Sequence, residues 1–349
     1  MIDILGAYLT AVRNGHNLTS TFITGQTLCN YAKSAADCLT ILTGGPCTYY
    51  DPATMSMKRV SLHPYLNEQI TQRSTWTKPK PRKEPFTYRM LAVHAEQLLS
   101  PSKDPLVVYT SLSYAVWDWL RIGVFTGSRV SEYAQSGLRR NQRFQVIPLN
   151  KDTGAWAGQP LAFIREDFQL FDAKQSLVQL SMLHSSHRKG LVCTVHIRFR
   201  YDKSSDNFSI RKFSRTTYTI LDPVDAAVSI IHRADLLLVP RNEPIDVYAS
   251  SHPMFLFLRD YHIRDILRRM CIAAYSDPQH YLRIHIDRLV PHSNRVTAAV
   301  CLQMGGASHE DIAFRLRWKV GRVPTYLREC FQEVGSIMSS TLQGAFKTS

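Results

Sequence analysis

A chain of 349 residues that is 44% hydrophobic is long enough to bury a sizeable core, and at ordinary domain sizes it predicts about two domains. Its 42 Lys+Arg against 28 Asp+Glu give a formal net charge of +14, which excludes an acidic solvating tail, and the composition excludes a disordered polymer or a collagen-like repeat. The charge favours a polyanionic partner: DNA, RNA or an anionic membrane surface.

Seven cysteines (Cys29, Cys38, Cys47, Cys193, Cys271, Cys301 and Cys330) form no Cys-x-x-Cys pair and are odd in number. Neither a disulfide framework nor a zinc ribbon is expected, and a reducing, intracellular compartment is. Met1-Ile2-Asp3-Ile4 has no basic leader, so no signal peptide is expected. The longest charge-free apolar run, Pro105 to Trp117, falls short of the roughly 18 to 20 residues that span a bilayer. A soluble protein with no membrane partner is expected.

In chain order, Ile4, Leu5, Tyr8, Leu9 and Val12 recur at helical spacing, as do Leu28, Tyr31, Ala35, Cys38 and Leu39 between Thr27 and Leu42, and Gly44-Gly45-Pro46 ends the second run. With a third helix expected over Pro64 to Trp76, residues 1–77 read as a small all-helical domain that holds a partner. This segment carries five basic and four acidic residues, so the excess positive charge belongs to the rest of the chain. Residues 78–89 form a basic strap in which Pro79, Pro81 and Pro85 forbid a regular helix and impose extended geometry. Lys78, Lys80, Arg82 and Lys83 on such a strap either track a phosphate backbone or decorate a solvated linker, a nuclear-import signal being a third reading.

Residues 90–349 form the second expected domain. Helices are expected over Tyr88 to Leu99, Val107 to Val124 and, after a break at Gly127, Arg129 to Gln135. Gln145 to Leu149 and Pro160 to Ile164 suggest short strands inside a stretch of mixed pattern. Val192 to Tyr201 alternates as a half-exposed strand does, Ser204 to Asn207 turns, and Phe208 to Tyr218 returns, making a hairpin with Lys203 near its tip. Further helices are expected over Asp225 to Leu238, Met254 to Tyr275, Ser293 to Met304, Glu310 to Leu316 and Tyr326 to Met338. The fold class is mainly α with a small antiparallel β-sheet.

The chemistry-bearing residues form an ordered set. His292-Ser293-Asn294-Arg295 opens a helix that Gly305-Gly306 closes, and Ser308 to Asp311 fits a capping box. Trp318 lies 23 residues after Arg295, and Tyr326 eight after Trp318. Upstream, Thr126-Gly127-Ser128-Arg129-Val130-Ser131-Glu132 places an arginine after a Thr-Gly turn with a glutamate three residues on. Together these motifs resemble the catalytic boxes of the tyrosine recombinases, the phage-integrase family, and in style the integrase-like proteins of mobile elements. The resemblance covers about residues 86 to 335 and implies an α+β catalytic domain there, with a helical core-binding domain over residues 1–77.

Apart from any family, the residue types suit phosphodiester transfer without metal, which needs a nucleophile, cations on the non-bridging oxygens and a proton donor for the departing oxygen. Tyr326 supplies the nucleophile. Arg129 and Arg295 offer planar, permanently charged forks that match phosphate oxygens in two-point contacts. His292 and Trp318 hydrogen-bond or pack against the same phosphate. Lys203 reaches the leaving 5′ oxygen as general acid, with Lys212 and Lys189 as rivals because 74 residues separate it from Arg129. Glu132 orients the Arg129 helix. A second match, His285-Ile286-Asp287-Arg288, is set aside because it sits in a strand-like run and misplaces Trp318 and Tyr326 by seven residues.

The resemblance implies a site-specific recombinase that works through a 3′-phosphotyrosine on double-stranded DNA, as a homotetramer on two sites, and without a cofactor. It would act in the nucleus of a eukaryotic host, otherwise in the cytoplasm or nucleoid. The rival readings are a type IB topoisomerase-like enzyme, which rejoins the same strand, and a catalytically silent domesticated DNA-binding protein. The segment Phe331 to Ser349 is either a docking tail or a frayed end.

Overall fold

The chain divides into two compact units, Met1–Pro81 and Arg82–Ser349. The computed structural model describes residues 2–13, 25–43, 48–59, 64, 66, 68, 83–100, 104–134, 146–147, 158–178, 191–201, 208–251, 254–324 and 327. In the first unit, helices Ile2–Arg13 and Gly25–Thr43 meet through Leu5, Leu9 and Val12 against Leu28 and Ala32, with Leu66 closing the cluster. Beyond them an antiparallel hairpin pairs Thr48–Asp51 with Ser56–Arg59, so this unit is not all-helical as its periodicity implied. The Asp51 side chain nucleates the turn by accepting from the Ala53 N–H at 3.0 Å and the Thr54 hydroxyl at 2.8 Å. Its bond to Lys58 and that to Thr54 pull its pKa down to about 2. Such side-chain-to-backbone closure of a turn competes successfully with helix. Of the third expected helix, Pro64, Leu66 and Glu68 are helical, and the other positions lie outside the described residues.

The second unit is organised around the helix Leu112–Thr126, which is buried on nearly every face from Ala115 to Val124. A helix buried all round belongs at the centre of a domain. The expected single helix over Val107 to Val124 is two, Pro105–Thr110 and Leu112–Thr126, because Ser111 is extended and its hydroxyl caps the Tyr114 N–H at 3.3 Å. Aromatic rings join this helix to its neighbours: Trp119 stacks on Tyr133 and Phe163 at 5.8 and 5.9 Å between centroids. The helix Pro223–Leu236 packs beside it. Between them Asp118 accepts from Arg121 at 2.6 Å and from Arg233, all three side chains fully buried.

A three-stranded antiparallel sheet, Phe168–Phe171, Thr194–Phe199 and Ser209–Ser214 in that order, covers part of the core. The last two strands are the expected hairpin, registered from Thr194 opposite Ser214 to Phe199 opposite Ser209. Pro160 to Ile164 is not a strand: Pro160 makes an isolated bridge to Val146, and Asp167 ties the Ile164 N–H at 2.9 Å into a 3-10 turn. The strand begins instead at Phe168. Met254 to Tyr275 divides into a strand, Met254–Phe257, paired with Val247–Ser251, and a helix, Asp260–Ala274. The reason is a period-2 pattern at its start, Met254 and Leu256 being more exposed than Phe255 and Phe257. The His285 motif is not strand-like either: His285 caps the helix Tyr281–Ile284, and Ile286–Arg288 form a 3-10 turn.

The protein is thus mainly α with small antiparallel sheets. Among the described residues no helix is long and apolar enough to cross a membrane, and no group of three or more His, Cys, Asp or Glu could hold a metal ion.

One close approach in this framework bears on function. The helix Ser293–Met304 crosses Leu112–Thr126 at Gly123, where an added Cβ would lie 1.7 Å from Asn294 Nδ2 and 2.4 Å from its Cγ. Asn294 is itself fully buried, so it has little room to yield. Gly123→Ala is expected to lower stability by about 1–3 kcal/mol through overpacking, measured as a shift in the urea midpoint at unchanged slope. An unshifted midpoint would show that the two helices can separate freely.

Candidate functional site

Three chain segments, the last two consecutive and both far from the first in sequence, deliver the candidate residues to one place. The first leaves Leu112–Thr126 through Gly127, whose φ of +55° is easily adopted only by a residue without a side chain. A Cβ at Gly127 would also strike Leu316 Cδ2 at 2.5 Å. The Thr126 and Ser128 hydroxyls lie 2.7 Å apart and lock the turn. Arg129 is then the extended cap of the short helix Val130–Tyr133, and its N–H donates to Glu132 Oε2 at 2.7 Å.

The second segment is held by Tyr133, whose hydroxyl donates to the Pro291 carbonyl at 3.1 Å. His292 stands at the cap of Ser293–Met304, and Arg295 lies in the first turn. Arg295 is buried and donates to the Leu316 carbonyl at 3.3 Å. Its guanidinium carbon sits 5.0 Å from the centre of the Trp318 ring.

The third segment is the end of helix His309–Leu316, capped at its start by Ser308 and Asp311. Arg317 turns the chain with φ 58° and ψ 49°, and the Trp318 N–H returns to the Ala313 carbonyl at 2.8 Å.

At the centre of the three lies Glu132. Arg317 grips it with both forks, Nη1 to Oε1 and Nη2 to Oε2, each at 2.8 Å. Arg129 Nη1 reaches Oε1 at 3.3 Å. Burial pushes the Glu132 carboxyl up, but Arg317, Arg129 and Arg295 outweigh it and hold the group below its ordinary range. Three guanidinium groups around one carboxylate leave the locality net positive, which suits a phosphate. Sequence inspection assigned no role to Arg317; the available signal was its position, one residue beyond the expected helix end and beside Trp318.

His292 is half-buried, and burial, the Arg295 charge and the Lys83 charge push its pKa down to about 4. Lys83 is brought near by its neighbour. The Glu84 N–H donates to the Arg288 carbonyl at 3.2 Å, and Glu84 Oε1 accepts from Tyr281 at 2.8 Å and Arg288 at 3.0 Å. Phe86 and Thr297 exchange two hydrogen bonds, at 2.9 and 3.3 Å, so the extended residues ahead of helix Tyr88–Leu98 are fastened to the Arg295 helix. The arginine of the rejected second motif serves this fastening.

Because the folded pKa of His292 is depressed, its contribution to stability is complete above the unfolded value near 6.5 and is lost as pH falls toward 4. The imidazole is expected to stay neutral at physiological pH, with one N–H to donate. A histidine proton NMR titration should give a midpoint near 4 that moves upward when inorganic phosphate is added, since an anion favours the imidazolium. A midpoint near 6.5 in both states, the ordinary value for a solvated imidazole, would place His292 in open solvent.

The structure therefore brings Arg129, Glu132, His292, Arg295 and Trp318 together, with Lys83 close to His292. Tyr326, Lys203, Lys78, Lys80 and Arg82 lie outside the described residues. On either side of Tyr326, Val323 and Leu327 are buried in one cluster with Ala298, Ala299, Ile312, Ala313 and Leu316, and Trp318 packs partly against it. Of the rival lysines, Lys189 is outside the described residues, and Lys212 is exposed on its strand opposite His196. Tyr133 also approaches the site, but it is fully buried and burial pushes its phenol up, which makes it a poor nucleophile. The hairpin is moored to helix His309–Leu316 by two crossed pairs, Arg211 over Phe314 and Arg315 over Phe213, each at 4.2 Å.

No protein-family model matches this chain, and a search of curated proteins finds no match to it.

Proposed function

We propose that this protein is a DNA strand-transfer enzyme, a site-specific recombinase of the kind its ordered motifs resemble. In this reading the Tyr326 phenol gives up its proton to solvent as its oxygen attacks a backbone phosphorus, the bond from phosphorus to the 5′ oxygen breaks, and Lys203 gives that oxygen a proton. The 3′-phosphotyrosine keeps the energy of the broken bond, and a 5′ hydroxyl from another strand reverses the step and frees the phenol. Arg129 and Arg295 hold the non-bridging oxygens, where charge accumulates. His292 and Trp318 donate to the same group, and Lys78, Lys80, Arg82 and Lys83 add contacts to other phosphates of the duplex. Exchange between two sites requires four protomers.

The observation that carries the proposal is the meeting of Arg129, His292, Arg295 and Trp318, drawn from three segments, in a locality where guanidinium groups outnumber carboxylates. An oxyanion site needs an excess of cations.

The test is a pool of nicked duplexes of random sequence, from which strand cleavage releases a short fragment that cannot rejoin. Protein–DNA adducts that survive denaturation are expected with the natural protein and absent with Tyr326→Phe, while DNA binding persists. Equal adducts from the variant would exclude Tyr326 as nucleophile. Binding without adducts on any duplex would favour a silent DNA-binding protein, and relaxation of supercoiled plasmid without exchange between duplexes would favour a topoisomerase.

A further inference from the structure

Arg317 occupies a backbone conformation that is costly for it. A left-handed residue just past a helix end is usually glycine, because a side chain there adds roughly 1–2 kcal/mol of strain. Nevertheless an arginine stands at this point with φ 58°, and its side chain is fully shielded from solvent. Strain of this kind persists where the surroundings over-determine it. Here they do so twice: the guanidinium makes its two-point grip on Glu132, and its carbon lies 3.6 Å from the centre of the ring of Phe199, the last paired residue before the hairpin turn.

The competition at Glu132 then has a direction. Arg317 meets both carboxylate oxygens at 2.8 Å, whereas Arg129 reaches one of them at 3.3 Å with its side chain 20% exposed. A carboxylate already satisfied in a planar two-point pair attracts a further guanidinium less strongly. We propose that Arg317 is a positioning residue that occupies the Glu132 carboxylate and so keeps the Arg129 guanidinium directed to an incoming phosphate group. The same side chain packs the turn end of the hairpin, through Phe199, against the Trp318 turn. The inference rests on the site's being a phosphate site, not on strand transfer itself.

The decisive variants are Arg317→Gly, which removes the side chain while relieving the backbone, and the double variant Arg317→Gly with Glu132→Gln. Inorganic phosphate is the probe, its affinity read from the rise in melting temperature with concentration. Arg317→Gly is expected to weaken phosphate binding by roughly 10- to 100-fold, the range of one charge-assisted contact, because Arg129 collapses onto the vacated carboxylate. The double variant removes the competing charge and is expected to recover to within about threefold of the natural protein. Unchanged affinity in Arg317→Gly would overturn the proposal. So would a double variant no better than the single one, because with Glu132 neutral no carboxylate remains for Arg129 to collapse onto. Phosphate affinity requires no DNA cleavage, so failure of the adduct test with this pattern intact would overturn only the recombinase reading.

Discussion

Replacing Asp118 with alanine is expected to cost about 3–5 kcal/mol of stability, the typical penalty for stripping a buried charge network of its counter-ion. Asp118 is fully buried and accepts from Arg121 at 2.6 Å and from Arg233. Both guanidinium groups are themselves fully shielded. Burial would push the Arg121 pKa down, but Asp118 and Asp225 outweigh it and keep that side chain firmly cationic. Without Asp118, Arg121 retains Asp225 at 2.9 Å, a carboxylate whose side chain is 46% exposed, together with the Trp117 ring at 4.0 Å. Arg233 retains the Tyr109 carbonyl at 3.0 Å. Neither environment replaces a buried counter-charge. Against a total stability of roughly 5–15 kcal/mol, such a loss approaches unfolding at body temperature. Urea denaturation tracked through tryptophan emission reports directly, since Trp117 and Trp119 lie on the same helix as Asp118. Asp118→Asn should fall between the two, because the amide oxygen still accepts hydrogen bonds. A loss below about 1 kcal/mol in the alanine variant, the scale of an exposed ion pair, would show that the arginines reach solvent.

The second large effect concerns chemistry. Under the recombinase proposal, Arg295→Ala is expected to slow single-turnover adduct formation by about 10²–10³-fold, the loss seen when one donor to a developing oxyanion is removed. DNA affinity should change far less, because many phosphates share the binding, and the salt dependence should fall by about one phosphate contact. Arg295→Lys is not expected to rescue the rate: a point charge lacks the two-point fork and the flat face held 5.0 Å from the Trp318 ring centre. Because Arg295 is buried and bonded to the Leu316 carbonyl, the melting temperature must be measured beside the rate. A stable variant with an unchanged adduct rate would remove Arg295 from the site.

Much of this site can be read directly along the chain. The residue types at Arg129, His292, Arg295 and Trp318, with their helix starts and stops, mark positions that need charge or a ring, because caps and turns are written in local sequence. The hairpin of Thr194–Phe199 and Ser209–Ser214 was likewise legible from alternation. Local reading failed where a side chain closes a turn, as at Asp51, and where a short strand abuts a helix, as at Met254–Phe257 and Asp260–Ala274. Both periods are present there, over spans too short for either to dominate.

What the sequence determined by itself is therefore the inventory: a basic chain with a mainly helical pattern, an ordered set of arginines with a histidine and a tryptophan, and the turns that flank them. Which charges meet was decided only by the tertiary structure. Glu132 and Arg317 are 185 residues apart, and no local periodicity couples them. Their pairing arises because Gly123 and Gly127 let two helices pass at close range, bringing a buried carboxylate and a buried guanidinium to a distance at which each neutralises the other at the least cost in desolvation.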